Sequence, residues 1–151
     1  DTLTGENIID RVDILQDAGK AINPVLELGQ IEGGFVQGQG WLTMEEVNWK
    51  TNGQITTTSP STYKIPAASD IPKKFNVEIF KQGKNKENVV NKSKTTGEPP
   101  LMLAMSVFYA IKDAIASVGK YKTIPILDAP ATPEKILMSL NELKKRINYG
   151  S

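Results

Sequence analysis

The sequence predicts an α+β fold in one domain. Strand-like patterns broken by turn chemistry recur before residue 97, and two long helical stripes follow Pro99. No internal repeat or composition break divides the 151 residues, a length that suits one domain with its own core.

The elements follow in chain order. Gly5-Glu6-Asn7 carries turn chemistry, and a strand-like run with Ile9, Val12, Ile14 and Leu15 among polar residues comes next, broken at Ala18-Gly19-Lys20. A hairpin needs a strand on each side, and only a stub precedes this turn. Asp1 is therefore expected to lie inside an element of a longer protein, truncated at this N-terminus; a short edge strand is the alternative. Asn23-Pro24 marks a further break, because proline disfavours a helical residue before it. From Gln30 to about Glu46, Ile31, Phe35, Leu42 and Met44 fit a helix loosely, with Gly33, Gly34, Gly38 and Gly40 inside it. Each glycine costs a helix interior about 1 kcal/mol. Close packing and backbone approach to a ligand are both open as reasons for them.

Residues 47–96 read as strands and loops. Asn52-Gly53 is a hairpin signal between Val47 and Trp49 on one side and Ile55 on the other, and Pro60, Pro66 and Pro72 keep the next stretch extended. Phe75, Val77, Ile79 and Phe80 suggest a strand. The lysine-rich run Lys81–Lys94 has no interleaved aromatic and reads as a solvated loop rather than an RNA-binding strip. After Pro99, Leu101, Ala104, Phe108, Ile111, Ile115 and Val118 keep helical spacing, and Leu103, Val107 and Ala114 widen the stripe, so this helix is expected to be largely buried and to end at Gly119. The last helix is expected to start at Thr132-Pro133-Glu134, to carry its stripe on Ile136, Leu137, Leu140, Leu143 and Ile147, and to end at Gly150.

Composition narrows the chemistry. The net charge of +1 gives no general attraction to nucleic acid or to an anionic membrane, so neither is an expected partner. No apolar run approaches the ~20 residues of a membrane span, and no signal peptide opens the chain, which points to the cytoplasm. Asn91-Lys92-Ser93 fits a glycosylation acceptor, read as chance without a secretory signal. Cysteine and histidine are absent, which excludes disulfides, thiol nucleophiles, Ser-His-Asp triads and histidine bases. A zinc site would need carboxylates alone. Acid–base work falls to Asp, Glu, Lys or Tyr.

The glycine cluster fits no nucleotide fingerprint: no Gly-Lys-Ser/Thr follows it, and Thr43 stands where a third glycine would follow Gly38-Gln39-Gly40. Gly97-Glu98-Pro99-Pro100 is more informative. Proline opens the helix, so Glu98 sits at or beside its N-cap, facing unsatisfied backbone N–H groups. Its carboxylate either complements the helix dipole, worth about 0.3–1 kcal/mol, or serves as a rigidly held general base. Local physics leaves both open.

The run Gly29-Gln30-Ile31-Glu32-Gly33-Gly34-Phe35-Val36-Gln37-Gly38 resembles a cofactor-contacting segment of the xanthine dehydrogenase and aldehyde oxidase family. Pro60-Ser61-Thr62-Tyr63-Lys64-Ile65-Pro66 is similar to a second family signature, and Ser93-Lys94 with Gly97-Glu98-Pro99-Pro100-Leu101 to a third, which contains the catalytic glutamate. They occur in the family's order and at nearly its spacing, and the resemblance extends through Leu127-Asp128-Ala129-Pro130-Ala131-Thr132. The two prolines after Glu98 and the Ser-Thr-Tyr-Lys-Ile-Pro run lean towards the xanthine branch, and Gly40-Trp41-Leu42-Thr43-Met44-Glu45-Glu46 is reminiscent of bacterial large subunits. Thr95-Thr96 and Gln39 depart from the family, which usually has small apolar residues before Gly97 and often an apolar residue at the position of Gln39.

The resemblance implies that residues 1–151 are a C-terminal portion of the molybdenum-cofactor-binding domain. It implies a molybdenum–molybdopterin cofactor with no amino-acid ligand to the metal, held in part by the Gln30 side-chain amide. The implied reaction is oxidation of hypoxanthine or xanthine with oxygen from water, with Glu98 as general base towards the Mo–OH group. The implied partners are the remainder of the molybdenum subunit, iron–sulfur (2Fe-2S) and FAD modules bound elsewhere, and a purine substrate. The chain alone is then expected to be inactive. An aldehyde or N-heterocycle oxidoreductase of the same family, or a non-catalytic module borrowing the fold, are the alternatives.

Overall fold

Residues 1–149 are described by the computed structural model, the backbone alone at Tyr149; the expected helix stop at Gly150 lies outside the described residues. The element order is β1 (Arg11–Gln16), α1 (Pro24–Thr43), β2 (Lys74–Ile79), α2 (Glu98–Leu103), α3 (Met105–Val118) and α4 (Pro133–Tyr149). Mixed strands and helices match the expected α+β class.

β1 and β2 form a parallel two-stranded sheet in register from Arg11 with Lys74 to Gln16 with Ile79. Parallel neighbours need a long crossover, and α1 supplies it. Ile14, Val12, Phe75, Val77 and Ile79 turn towards the core while the alternate positions face outward. Ile31 and Phe35 of α1 are fully buried beneath the sheet, with the rings of Phe35 and Phe75 5.5 Å apart. Val107, Ile111 and Ile115 of α3 and Ile136, Leu140 and Leu143 of α4 complete the same core.

Several expectations need correction. Asn23-Pro24 is no break but the start of α1: the Asn23 side chain accepts a hydrogen bond from Leu26 N and Pro24 occupies the first turn, so the helix begins six residues before Gln30. No strand precedes Gly5-Glu6-Asn7; the opening residues form a turn closed by Gly5 N donating to the Asp1 carbonyl. The Asn52-Gly53 turn is present, with Gly53 at φ +82° and one antiparallel bridge between Trp49 and Ile55, without regular strands.

The long helical run is less covered than its stripe suggested. Ala104, helical in backbone, joins α2 to α3, and the 21 residues Glu98–Val118 meet the length and apolar composition of a membrane span, contrary to the expectation that no run came close. One face packs on α1 and α4, the ordinary situation of a core helix, and this one run is weak support for a span. Met102, Leu103, Met105, Tyr109 and Val118 are exposed on the rest of its surface. Only 28% of its most apolar window is buried among the described residues.

Candidate functional site

Glu98 is the first residue of α2, with Pro99 and Pro100 in the opening turn, where their missing N–H groups leave no helical bond unmade. Gly97 precedes it and supplies no side-chain cap. The Glu98 carboxylate is exposed and has no hydrogen-bond or ion-pair partner among the described residues.

The glycines of α1 determine how closely α2 approaches. A Cβ on Gly34 would lie 3.1 Å from the Gly97 carbonyl oxygen and 3.3 Å from Pro100 Cβ. One on Gly38 would collide with the Leu101 carbonyl and come within 2.7 Å of Ala104 Cβ. These two glycines therefore answer to close helix packing. Gly40 answers to the side chains of Glu45 and Pro66, which press against it. Gly29 and Gly33 differ, since nothing lies within 4 Å of a Cβ at either. Along one helix the two candidate explanations divide: Gly34, Gly38 and Gly40 serve packing, and Gly29 with Gly33 leaves backbone open.

This packing brings the two residues singled out in the sequence towards one another. The Gln30 Oε1 atom lies 4.0 Å from the Cβ position at Gly97, the residue before Glu98. Gln30 is exposed and its amide has no partner among the described residues. The site thus presents an unpaired amide, an unpaired carboxylate and an open stretch of helix backbone at Gly29 and Gly33. Such a face suits a flat cofactor held by hydrogen bonds. No group of three or more His, Cys, Asp or Glu that could hold a metal occurs among the described residues.

Two further contacts, not singled out in the sequence, brace the site. Tyr63 donates a 2.5 Å hydrogen bond to Glu45 Oε2, tying the Pro60–Pro66 run to the end of α1; this bond, then partial burial, pushes the Tyr63 phenol above its ordinary range. Both residues border a shallow groove of about 490 Å³ that also includes Gly33, Gln37 and Trp41. Gln39 is buried and donates through Nε2 to the Asp70 carbonyl at 2.7 Å, which gives that polar position a structural use. The second contact pairs Asp17 with Lys94 at 2.5 Å; the Lys94 ammonium, followed by the Gly19 N–H, holds the Asp17 carboxyl below the usual carboxylate range. Lys94 stood within a quoted motif, but a partner 77 residues away leaves no local sequence signal.

A family model described as the molybdopterin cofactor-binding domain matches residues 1–72. Xanthine dehydrogenase/oxidase of Rattus norvegicus is 48% identical over 141 residues, covering 90% of this chain and 10% of the relative. Xanthine dehydrogenase of Oryza sativa subsp. japonica is 45% identical over 150 residues, covering 92% of this chain and 11% of the relative. Among solved structures, quinoline 2-oxidoreductase from Pseudomonas putida 86 superposes with a TM-score of 0.72 at 30% identity, over 85% of this chain and 16% of that one. The chain therefore spans about a tenth of the length of the curated relatives it matches.

Proposed function

This chain belongs to the xanthine dehydrogenase and aldehyde oxidase family of molybdopterin proteins, and on that premise we propose that it forms one wall of the active site of a purine-oxidising molybdenum hydroxylase. The observation that carries the proposal is the juxtaposition of Gln30 with Gly97-Glu98, both functional groups unpaired and bordered by the open backbone of Gly29 and Gly33.

When bound, the molybdenum cofactor supplies two-electron redox chemistry. Gln30 would hold it, donating through Nε2 and accepting through Oε1, so that one side chain fixes both position and orientation. Glu98 takes the proton of the oxygen nucleophile that adds to a purine carbon of hypoxanthine or xanthine. A general base must be held within hydrogen-bond reach of the proton it removes, and a carboxylate at the start of a packed helix meets the need for fixed placement. The remainder of the molybdenum subunit would close the pocket, and iron–sulfur and FAD modules would take the electrons. The share of the relatives' length that this chain spans supports that division of labour.

The test is Glu98→Ala in the full-length protein that carries this chain. Turnover of hypoxanthine and xanthine should fall by at least about 10²-fold, the lower range of general-base effects, with molybdenum content unchanged. Retained turnover overturns the assignment of the base. The likeness to quinoline 2-oxidoreductase favours a second reading, an N-heterocycle or aldehyde hydroxylase with the same base. Activity on quinolines or aldehydes, with none on xanthine or hypoxanthine, would select it.

A further inference from the structure

We propose that Asp17 and Lys94 form a positioning pair for Glu98, anchoring the segment that leads into α2 to the turn between β1 and α1. The inference rests on the reading of Glu98 as the base and extends it to two residues that do not touch the reacting atoms.

The geometry is a short clamp. Lys94 Nζ meets Asp17 Oδ2 at 2.5 Å, and the other carboxylate oxygen accepts from Gly19 N at 2.9 Å. Backbone bonds run alongside: Lys94 N donates to the Ala18 carbonyl at 2.9 Å and Lys20 N to the Lys92 carbonyl at 3.1 Å, with an antiparallel bridge between Gly19 and Ser93. Gly19 sits at φ +67°, and a Cβ there would press into the Lys92–Lys94 backbone, so the two segments touch without intervening side chains. A Cβ on Gly83 would also press against Asp17 Oδ1.

Three residues, Thr95 to Gly97, separate the clamp from Glu98. On the other side of Glu98, Gly34 and Gly38 of α1 receive the first turn of α2. Glu98 is thus held from one direction by the turn that precedes α1 and from the other by α1 itself, the helix carrying Gln30. Among the described residues the carboxylate has no hydrogen-bond partner of its own, so its place relative to Gln30 is set by the backbone at these two ends.

The Asp17–Lys94 pair is itself partly exposed, with 42% of the Asp17 and 36% of the Lys94 side-chain surface open. Exposed ion pairs contribute little to stability. That separates a positioning role from a merely structural one: loss of the pair should disturb Glu98 far more than it disturbs folding.

The test uses Lys94→Met and Lys94→Arg in the full-length protein, beside Glu98→Ala. A displacement of about 1 Å near the reacting atoms can cost about 10²-fold in rate. Lys94→Met should therefore lower kcat by about 10- to 100-fold, with KM, molybdenum content and the unfolding midpoint close to those of the parent. Amide hydrogen exchange at Thr95–Glu98 should quicken in the same variant, a readout independent of turnover. Lys94→Arg, which keeps charge and reach, should restore both. Unchanged exchange at Thr95–Glu98 overturns the proposal, as does faster exchange with unchanged kcat where Glu98→Ala abolishes turnover. Loss of molybdenum in Lys94→Met also overturns it, by showing a role in cofactor retention. Full turnover in Glu98→Ala removes the premise, and the exchange data show that outcome to be a failure of the base assignment rather than of the clamp.

Discussion

Replacing Gly38 with alanine tests how closely α2 must approach α1. A Cβ at this position would stand 2.7 Å from Ala104 Cβ and would also meet the Leu101 carbonyl, neither of which can swing aside as a flexible side chain could. Carbon atoms pack at about 3.5–4.0 Å, so the helices must separate locally by about 1 Å. Overpacking of this kind costs about 1–3 kcal/mol. Alanine also recovers about 1 kcal/mol of helix propensity, which blurs the measurement on one variant. Gly33→Ala removes that ambiguity, because it lies in the same helix with nothing within 4 Å of the new methyl. The propensity gain cancels between the two variants, and Gly38→Ala should be less stable than Gly33→Ala by the overpacking cost alone, about 1–3 kcal/mol. Side-by-side urea unfolding, read by helical circular dichroism with a common slope, measures the difference. Equal midpoints, or a Gly38→Ala variant more stable than Gly33→Ala, would refute the account of the α1–α2 contact.

Two more predictions concern the chain that leads into α1. Asn23→Ala should cost about 1 kcal/mol in the same unfolding assay, because the Leu26 N–H loses its acceptor at the start of the helix; no change would mean that this cap is replaced by solvent. The Asp17 carboxyl lies below the usual carboxylate range because of Lys94 and then Gly19. A depressed folded-state value means that its stabilisation is fully present above the usual range and is lost as pH falls through the folded value. Wild type and Asp17→Asn should therefore differ most at neutral pH and converge on acidification; a difference independent of pH would show that the charge is not what holds the turn.

The sequence pattern carried the helices further than it carried their surroundings. The stripe from Ile136 to Ile147 and the start at Thr132-Pro133 were legible because capping and helical spacing are local. Asn23-Pro24 misled for a related reason, since an asparagine before a proline signals both a break and a helix start, and only the fold chooses. The alternation in Val12–Ile14 and Phe75–Ile79 announced strands but not their parallel pairing, which depends on where α1 returns the chain. The α2–α3 surface showed the opposite limit. Its breadth of apolar residues implied burial, yet a stripe records only that a face needs covering, and this chain covers one side of it.

The same distinction separates the two kinds of information at the site. Glu98 and Gln30 stood out through motifs, while local physics left Glu98 explicable as a dipole partner. The structure adds a relation that neither motif contains: Gly34 and Gly38 let α2 settle onto α1, and that settling carries Gly97 to the Gln30 amide. A glycine pattern that fits no nucleotide fingerprint is thereby given a different use, as the spacing device between two side chains 68 positions apart. If that is its use, then widening the helix contact at Gly38 should act on the chemistry as well as on stability, because Glu98 and Gln30, the proposed base and the proposed cofactor contact, sit on opposite sides of the contact being widened. Gly33, free of that contact, has no such route to Glu98.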